Sequence, residues 1–245
     1  MYANIIEDQI RDGIVEECKD KSVNSGYFMP HTAVLRPDKE TSRVRIVFDA
    51  SSKDIGLKSL NDMLLSGPNL NPNILDVILN FRKHEIAFSG DIEKAFLMID
   101  IDENERKCLK FIWIDYDNCE GFKIMNMKRL PFGVTTSPFI LKAIIKYHIK
   151  KYANDKPDCV KMLNSSLHVD DLYWGTDTVN DAYRLSSDAV NILQSASMNL
   201  RRCNSNSNEL KKLWNQNGIA INDSIAHAKV LGLRWDTEND VLLIE

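Results

Sequence analysis

Three aspartates stand where they could do chemistry. Asp170 and Asp171 are adjacent in "SSLHVDDLYWG", an otherwise apolar, strand-like run, and Asp91 follows the apolar start of "AFSGDIEKAFLMI". Neighbouring strand residues point to opposite faces, so an adjacent acidic pair is not simply one polar edge. Like charges this close repel, and Leu167, Val169, Leu172 and Trp174 around them make ionisation costlier still. A divalent cation would reverse that balance. A site for two such ions needs at least one more carboxylate, and Asp91 is the best candidate. The residues alone leave plainer readings open. Asp170 and Asp171 would suit a polar hairpin tip, Asp91 would suit a helix N-cap, and Glu93 is better read as a solvated first-turn acid.

The elements that must position these acids can be outlined from periodicity. Ile6, Ile10, Ile14 and Cys18, spaced by four, predict an amphipathic helix over 4–18. "YFMPHTAVLRP" and "VRIVFDA" read as strands, with Pro30 marking an edge or an irregularity. Asn71 and Pro72 read as the N-cap and first-turn proline of a helix through "NILDVILNF". "EIAFSGDIEKAF" begins as a strand and turns, and "KCLKFIWIDY" and "FKIMNMKRL" form a pair joined through "DNCEG". A helix opens at Ser137 and runs to about Tyr152, the "SSLHVDDLYWG" hairpin follows, and a long helix covers about 180–198. "CNSNSNE" is a polar break, and "HAKVLGLRWDTENDVLLIE" predicts a final hairpin. Strands interleaved with long helices predict an α+β layer with helices on one face of an antiparallel sheet.

Bulk properties exclude some classes. The chain of 245 residues is long enough for one large domain or two modest ones. It holds no run near the roughly 18 apolar residues of a membrane span, which predicts no membrane partner. The five cysteines, Cys18, Cys108, Cys119, Cys159 and Cys203, form no CxxC pair, which argues against a disulfide framework or zinc site. "DIDENE" begins like a calcium loop, but Glu105 replaces the required glycine and Phe111 the closing glutamate. No P-loop or dinucleotide fingerprint is present. A net charge of -4 is awkward for a nucleic-acid binder. Yet Lys142, Lys146 and Lys150 repeat every four residues along one helix, a stripe that would serve phosphate contact or merely a solvated face.

Five stretches, "RVRIVFDASSK", "LNDMLLSGP", "SGDIEKAFLMI", "RLPFGVTTSPFIL" and "HVDDLYWG", occur in this order. Together they resemble the reverse transcriptase of Bel/Pao-type LTR retrotransposons, from about Tyr27 to Trp235. The resemblance implies a right-hand polymerase with fingers over 1–84 and 101–136 and a ferredoxin-like palm over 85–100 and 137–245, with no thumb in the chain. It implies an RNA-directed DNA polymerase that transfers deoxynucleotides to a primer 3′ end by two-metal-ion catalysis. Asp91, Asp170 and Asp171 would be catalytic and, with Ile92, would hold two Mg²⁺ ions, or Mn²⁺ in their place. Such ions take oxygen ligands at about 2.0–2.1 Å and keep waters and substrate phosphates. They would lie about 3.5–4 Å apart, one activating the primer hydroxyl and the other stabilising pyrophosphate.

The resemblance also places Arg45 on the incoming triphosphate, where a guanidinium fork suits phosphate. Phe96, five residues after Asp91, would lie beneath the sugar and reject a 2′-hydroxyl, and Ile92, Phe132 and Gly133 would complete the nucleotide site. His168, Val169, Leu231 and Gly232 would meet primer and template. Plainer roles stand beside these: a core phenylalanine, a surface arginine, a turn glycine and an edge hairpin. His168 replaces the family's usual tyrosine, which would make primer contact pH-sensitive, and Phe132 stands where retroviral enzymes carry glutamine. Arg36, Lys39, Arg43, Arg45 and the lysine stripe are the candidates for backbone phosphate. The implied partners are a primed RNA or DNA template, dNTPs and the rest of a retrotransposon polyprotein. The implied setting is the cytoplasm, within virus-like particles, or the nucleus. A different class stays open: a catalytically idle remnant or co-opted binding module, favoured by the acidic charge and disfavoured by three intact aspartates. A nucleotide cyclase is a third reading, against which "RVRIVFDAS" argues.

Overall fold

The structure, a computed structural model, describes residues 2–20, 22, 25–35, 44–115, 121–221 and 228–244. Arg36, Lys39, Arg43 and Cys119 lie outside the described residues. In chain order the elements are α1 (Tyr2–Arg11), β1 (Val15–Glu17), β2 (His31–Leu35), β3 (Val44–Phe48), α2 (Leu60–Met63) and α3 (Ile74–Arg82). Then come β4 (Ile86–Ile92), β5 (Lys110–Asp115), β6 (Gly121–Met127), α4 (Ser137–Ile149), α5 (Pro157–Ser166), β7 (Leu167–His168) and β8 (Asp171–Thr176). The chain closes with α6 (Val179–Gln194), β9 (Leu200–Ser205), α7 (Asn208–Gln216), β10 (Ala228–Val230), β11 (Leu233–Asp236) and β12 (Val241–Leu243). Packing divides it into two units, Met1–Pro68 with Phe96–Ile140, and Asn69–Ala95 with Leu141–Glu245.

In the first unit, β1, β6 and β5 form one antiparallel sheet and β2 and β3 a hairpin. Ile6, Val15, Met29, Phe48, Phe111, Met125, Met127 and Val134 share its core. The helix expected over 4–18 ends at Arg11, because Gly13 takes φ +67 and turns the chain into β1. Ile6 and Ile14 still reach the same core, so the four-residue spacing reported burial correctly and backbone form only in part. Short α2 is held by a reciprocal cap: Ser59 Oγ accepts from Asp62 N–H, and Asp62 accepts from Ser59 N–H.

In the second unit, four strands run in the order β7-β8-β4-β9, every neighbour antiparallel. Along the chain they follow a strand–helix–strand–strand–helix–strand sequence, with α4 and α5 in the first connection and α6 in the second. On one sheet face, Phe88 packs edge-on against Trp214 of α7, whose indole N–H donates to Ser186 of α6. The opposite face carries Ala87, Ser89 and Asp91 of β4 beside Gly175, Tyr173 and Asp171 of β8. One end of this face is covered by α3 and the β10-β11-β12 meander, through Val77, Phe81, Ala228, Val230 and Trp235. Gly175 lies so near α3 that a Cβ there would stand 3.2 Å from the Asn80 and Phe81 carbonyls. Helices therefore cover both faces, where one was expected.

Other differences have physical causes. The N-cap of α3 is Asn73, whose side chain accepts from Leu75 N–H, so Asn71 is free for a different role. The polar "CNSNSNE" is not a break. Ser205 Oγ donates to the Ala87 carbonyl and Asn206 bonds both Ala87 N–H and the Glu85 carbonyl, so side chains extend the pairing of β9 with β4. The C-terminal hairpin is a three-stranded meander. Its first turn has φ +49 at Leu231 and +89 at Gly232, the pair of positive values a two-residue type I′ turn requires.

Candidate active site

The second unit brings two of the three aspartates into register. Asp91 on β4 and Asp171 on β8 are direct cross-strand partners on the same face. Asp170 sits in the turn before β8, and its carbonyl accepts from Ile92 N–H at 2.8 Å. Strand pairing alone thus carries Asp91 across a long stretch of sequence to the acidic pair. Asp171 is pushed up to about 6, first by burial and then by the Asp170 charge, with Asp91 adding a smaller push. Burial also raises Asp91, opposed by Arg201 and Arg202 and reinforced by Asp170 and Glu93.

The turn that carries Asp170 is a two-residue hairpin loop, since His168 pairs with Asp171. Val169, its first residue, has φ +56, a region that β-branched side chains rarely enter and that costs about 1–3 kcal/mol. Two side chains tie this hairpin from outside the sheet. Asn71 Oδ1 accepts from Val169 N–H at 3.1 Å, and Lys142 Nζ donates to the Leu167 carbonyl. Lys142 is 1% exposed, so it is no phosphate contact, and the proposed stripe reduces to half-buried Lys146 and exposed Lys150. Burial draws the Lys142 ammonium down to about 7. It likewise lowers the His168 imidazole, with Lys142 adding to the effect, so any protonation switch there lies below its usual range.

Two contacts were not anticipated from sequence. Tyr173 donates its hydroxyl to Asp171 Oδ2 at 3.0 Å and accepts from Leu231 N–H at 3.4 Å, linking the β10–β11 turn to the carboxylate. Their i, i+2 spacing on one strand was the available signal. Arg201 lies with Nε 3.7 Å from Asp91 Oδ2 and Nη1 2.8 Å from Glu93 Oε1. Glu93 also accepts from Asn199, so it is a networked group and not a solvated first-turn acid.

The first unit gathers the residues expected around the nucleotide. Phe96, 4% exposed, lies 4.4 Å from Phe132 between ring centroids, and the Arg45 guanidinium stands 4.8 Å above the Phe132 ring. Gly133 has φ +90, and a Cβ there would stand 2.9 Å from the Phe48 carbonyl, so its own turn requires glycine. Asn61 Nδ2 donates to the Gly133 carbonyl and Asn61 Oδ1 accepts from Thr135 N–H, pinning the loop on both sides. Ile92 belongs to the second unit, buried at the end of β4.

The carboxylates supply hard oxygen donors whose repulsion and burial a divalent ion would relieve. Among the described residues, however, no three His, Cys, Asp or Glu side chains close into a cluster that would hold an ion unaided. That donor set fits Mg²⁺ bound by one or two carboxylates with substrate phosphates completing its shell, and not a closed protein cage.

No protein-family model matches the chain, and no curated protein sequence does. Solved structures do. The chain aligns with a foamy viral protease-reverse transcriptase in complex with double-stranded DNA at TM-score 0.65 and 21% identity, over 97% of this chain and 35% of that one. A foamy viral protease-reverse transcriptase bound to an RNA/DNA hybrid gives TM-score 0.64 and 20% identity, over 96% of this chain and 25% of that one. A further double-stranded DNA complex gives TM-score 0.60 and 21% identity, over 95% and 39%. The chain therefore has a reverse-transcriptase-like fold and spans between 25% and 39% of the length of these structures.

Proposed function

We propose that this chain is the nucleotidyl-transfer core of an RNA-directed DNA polymerase from an LTR retrotransposon of Bel/Pao type. The observation that carries the reading is the cross-strand pairing of Asp91 with Asp171, beside Asp170, on the sheet of a reverse-transcriptase-like fold. In this reading the first unit serves as fingers and the second as a ferredoxin-like palm, with residues 69–84 packing with the palm. The Bel/Pao assignment rests on the order of the five motifs. A primed RNA or DNA template is the nucleic-acid partner, a reading supported by the nucleic-acid complexes of the structural neighbours; dNTPs and the remainder of a polyprotein, in the cytoplasm, virus-like particle or nucleus, are the other proposed partners.

Asp91, Asp170 and Asp171, with Ile92, would hold Mg²⁺, or Mn²⁺ in its place. When bound, the ions supply an activated primer 3′-hydroxyl and charge stabilisation of the leaving pyrophosphate. The chain's own residues have separate tasks. Tyr173 orients the Asp171 carboxylate through its hydroxyl. Arg45 offers a bidentate fork to triphosphate oxygens, and Phe96 bears on the sugar with its ring braced by Phe132. His168, Val169, Leu231 and Gly232 face primer and template.

The test is single-nucleotide extension of a DNA primer on an RNA template with Mg²⁺ or Mn²⁺, with Asp170→Asn/Asp171→Asn as control. Extension by the wild type that the control abolishes supports the reading. Nucleic-acid binding without extension, in this chain and in a longer version that continues past it, would favour the idle or co-opted module.

A further inference from the structure

We propose that Asn71 and Lys142 are positioning residues that lock the strained Val169 turn and so aim Asp170 and Asp171. The catalytic consequence rests on the polymerase reading above; the clamp itself does not. In an antiparallel ladder, alternate residues exchange both hydrogen bonds with their partner while those between them point outward. Strand β7 is the edge of its sheet and only two residues long, with His168 and Asp171 closing the loop. The outward groups next to that pair are the Leu167 carbonyl and the Val169 N–H, and among the described residues no strand lies on that side to receive them.

Each is instead taken by a side chain from a distant segment. Lys142 Nζ, on α4, donates to the Leu167 carbonyl, and Asn71 Oδ1, before α3, accepts from Val169 N–H at 3.1 Å. Helix packing does not explain Lys142, since an apolar residue would fill a fully buried position with less penalty. Helix capping does not explain Asn71, since Asn73 caps α3. What the two polar side chains share is the hairpin. A β-branched residue at φ +56 persists only where its surroundings over-determine it, and these two bonds supply that constraint one residue on either side of His168.

Five variants test the clamp in the full chain: Asn71→Ala, Lys142→Met, Lys142→Gln as a conservative donor, Val169→Gly, and Val169→Gly combined with Asn71→Ala. Amide exchange at Val169 should accelerate about tenfold in Asn71→Ala while β4 and β8 amides keep their rates. In single-nucleotide extension, kcat should fall about ten- to a hundredfold for Asn71→Ala and Lys142→Met with the dNTP KM held, and Lys142→Gln should recover most of it. Glycine adopts positive φ unaided, so Asn71→Ala should cost less kcat and less thermal midpoint when Val169 is already glycine. An unchanged Val169 exchange rate in Asn71→Ala, or equal losses in both Val169 backgrounds, would overturn the proposal. Absence of primer extension in both this chain and a longer version would sink the polymerase reading, and exchange and thermal non-additivity would still decide the clamp.

Discussion

Surface acids of the first unit and the sheet-face acids of the second unit are treated in opposite ways. In the first unit, Asp20, Asp62 and Glu103 lie at the surface and are held below the usual carboxylate range. A backbone bond from Ser22 does this for Asp20, a bond from Lys53 takes Asp62 to about 2, and a bond from Lys19 acts on Glu103. In the second unit, burial and like charge push Asp91 and Asp171 up, Asp171 to about 6. The first group is arranged to favour its own ionisation, as folding alone would select. The second is arranged against ionisation in the free protein, as the proposed metal site would require.

The strongest test of this contrast is a matched pair of neutralisations. Asp171→Asn should reduce primer extension by about a thousandfold or more, equivalent to about 4 kcal/mol of transition-state stabilisation. Asp62→Asn should leave extension within about twofold, because it serves a helix cap and an exposed ion pair with Lys53. Comparable losses in both would erase the distinction between the units.

A stability measurement comes next in size. The folded pKa of Asp171 is about 6 against a free value of 3.8. Between these values the folded state binds a proton that the unfolded chain has released, so metal-free stability is greatest below pH 4 and falls as pH rises toward 6. The fall amounts to roughly 3 kcal/mol. Urea unfolding across pH 3.5–7 should show this slope in wild type and lose it in Asp171→Asn, which should be the more stable protein at neutral pH. A flat wild-type profile, once other groups are accounted for by the variant, would show that burial does not strain this carboxylate.

Within the first unit, Phe96→Val probes selectivity. Ribonucleotide incorporation relative to deoxynucleotide should rise about tenfold, the scale on which a pocket discriminates one small group. Unchanged discrimination would return Phe96 to the core, its ring merely packed against exposed Phe132. The smallest expected effect is Ser59→Ala, which removes half of the reciprocal cap on α2. It should lower stability by about 1 kcal/mol with unaltered extension kinetics. A kinetic defect there would mean that α2 does more than fold.

Sequence made the acidic site legible because its geometry follows from strand alternation. Asp91 ends one apolar run, Asp170 and Asp171 interrupt another, and antiparallel pairing does the rest. It misled where side chains replace backbone. Asn206 and Ser205 complete the edge of β9 with polar groups, so a strand looked like a loop. Periodicity also reads burial and not exposure of a charge, and Lys142 recurs at helical spacing with Lys146 and Lys150 although it is wholly buried. The turn at Gly13 overrode a four-residue apolar spacing because both sides of it feed one core. Helix α5 was missed between two better-marked elements, although Pro157 at its first turn was a usable signal.

Trp214 and Trp235 are both fully buried, one packed against Phe88 on the face of the carboxylate sheet covered by α6 and α7 and the other against Phe81 of α3 on the opposite face. Trp113 is the one tryptophan of the four that belongs to the first unit. The protein thus carries an intrinsic fluorophore on each side of its acidic sheet. Loss of the meander should red-shift the emission of Trp235 while Trp214 stays blue, and complete unfolding of the second unit should shift both. With Trp113 and Trp174 of β8 replaced by phenylalanine, emission alone would report whether that sheet opens from one face or melts as a whole.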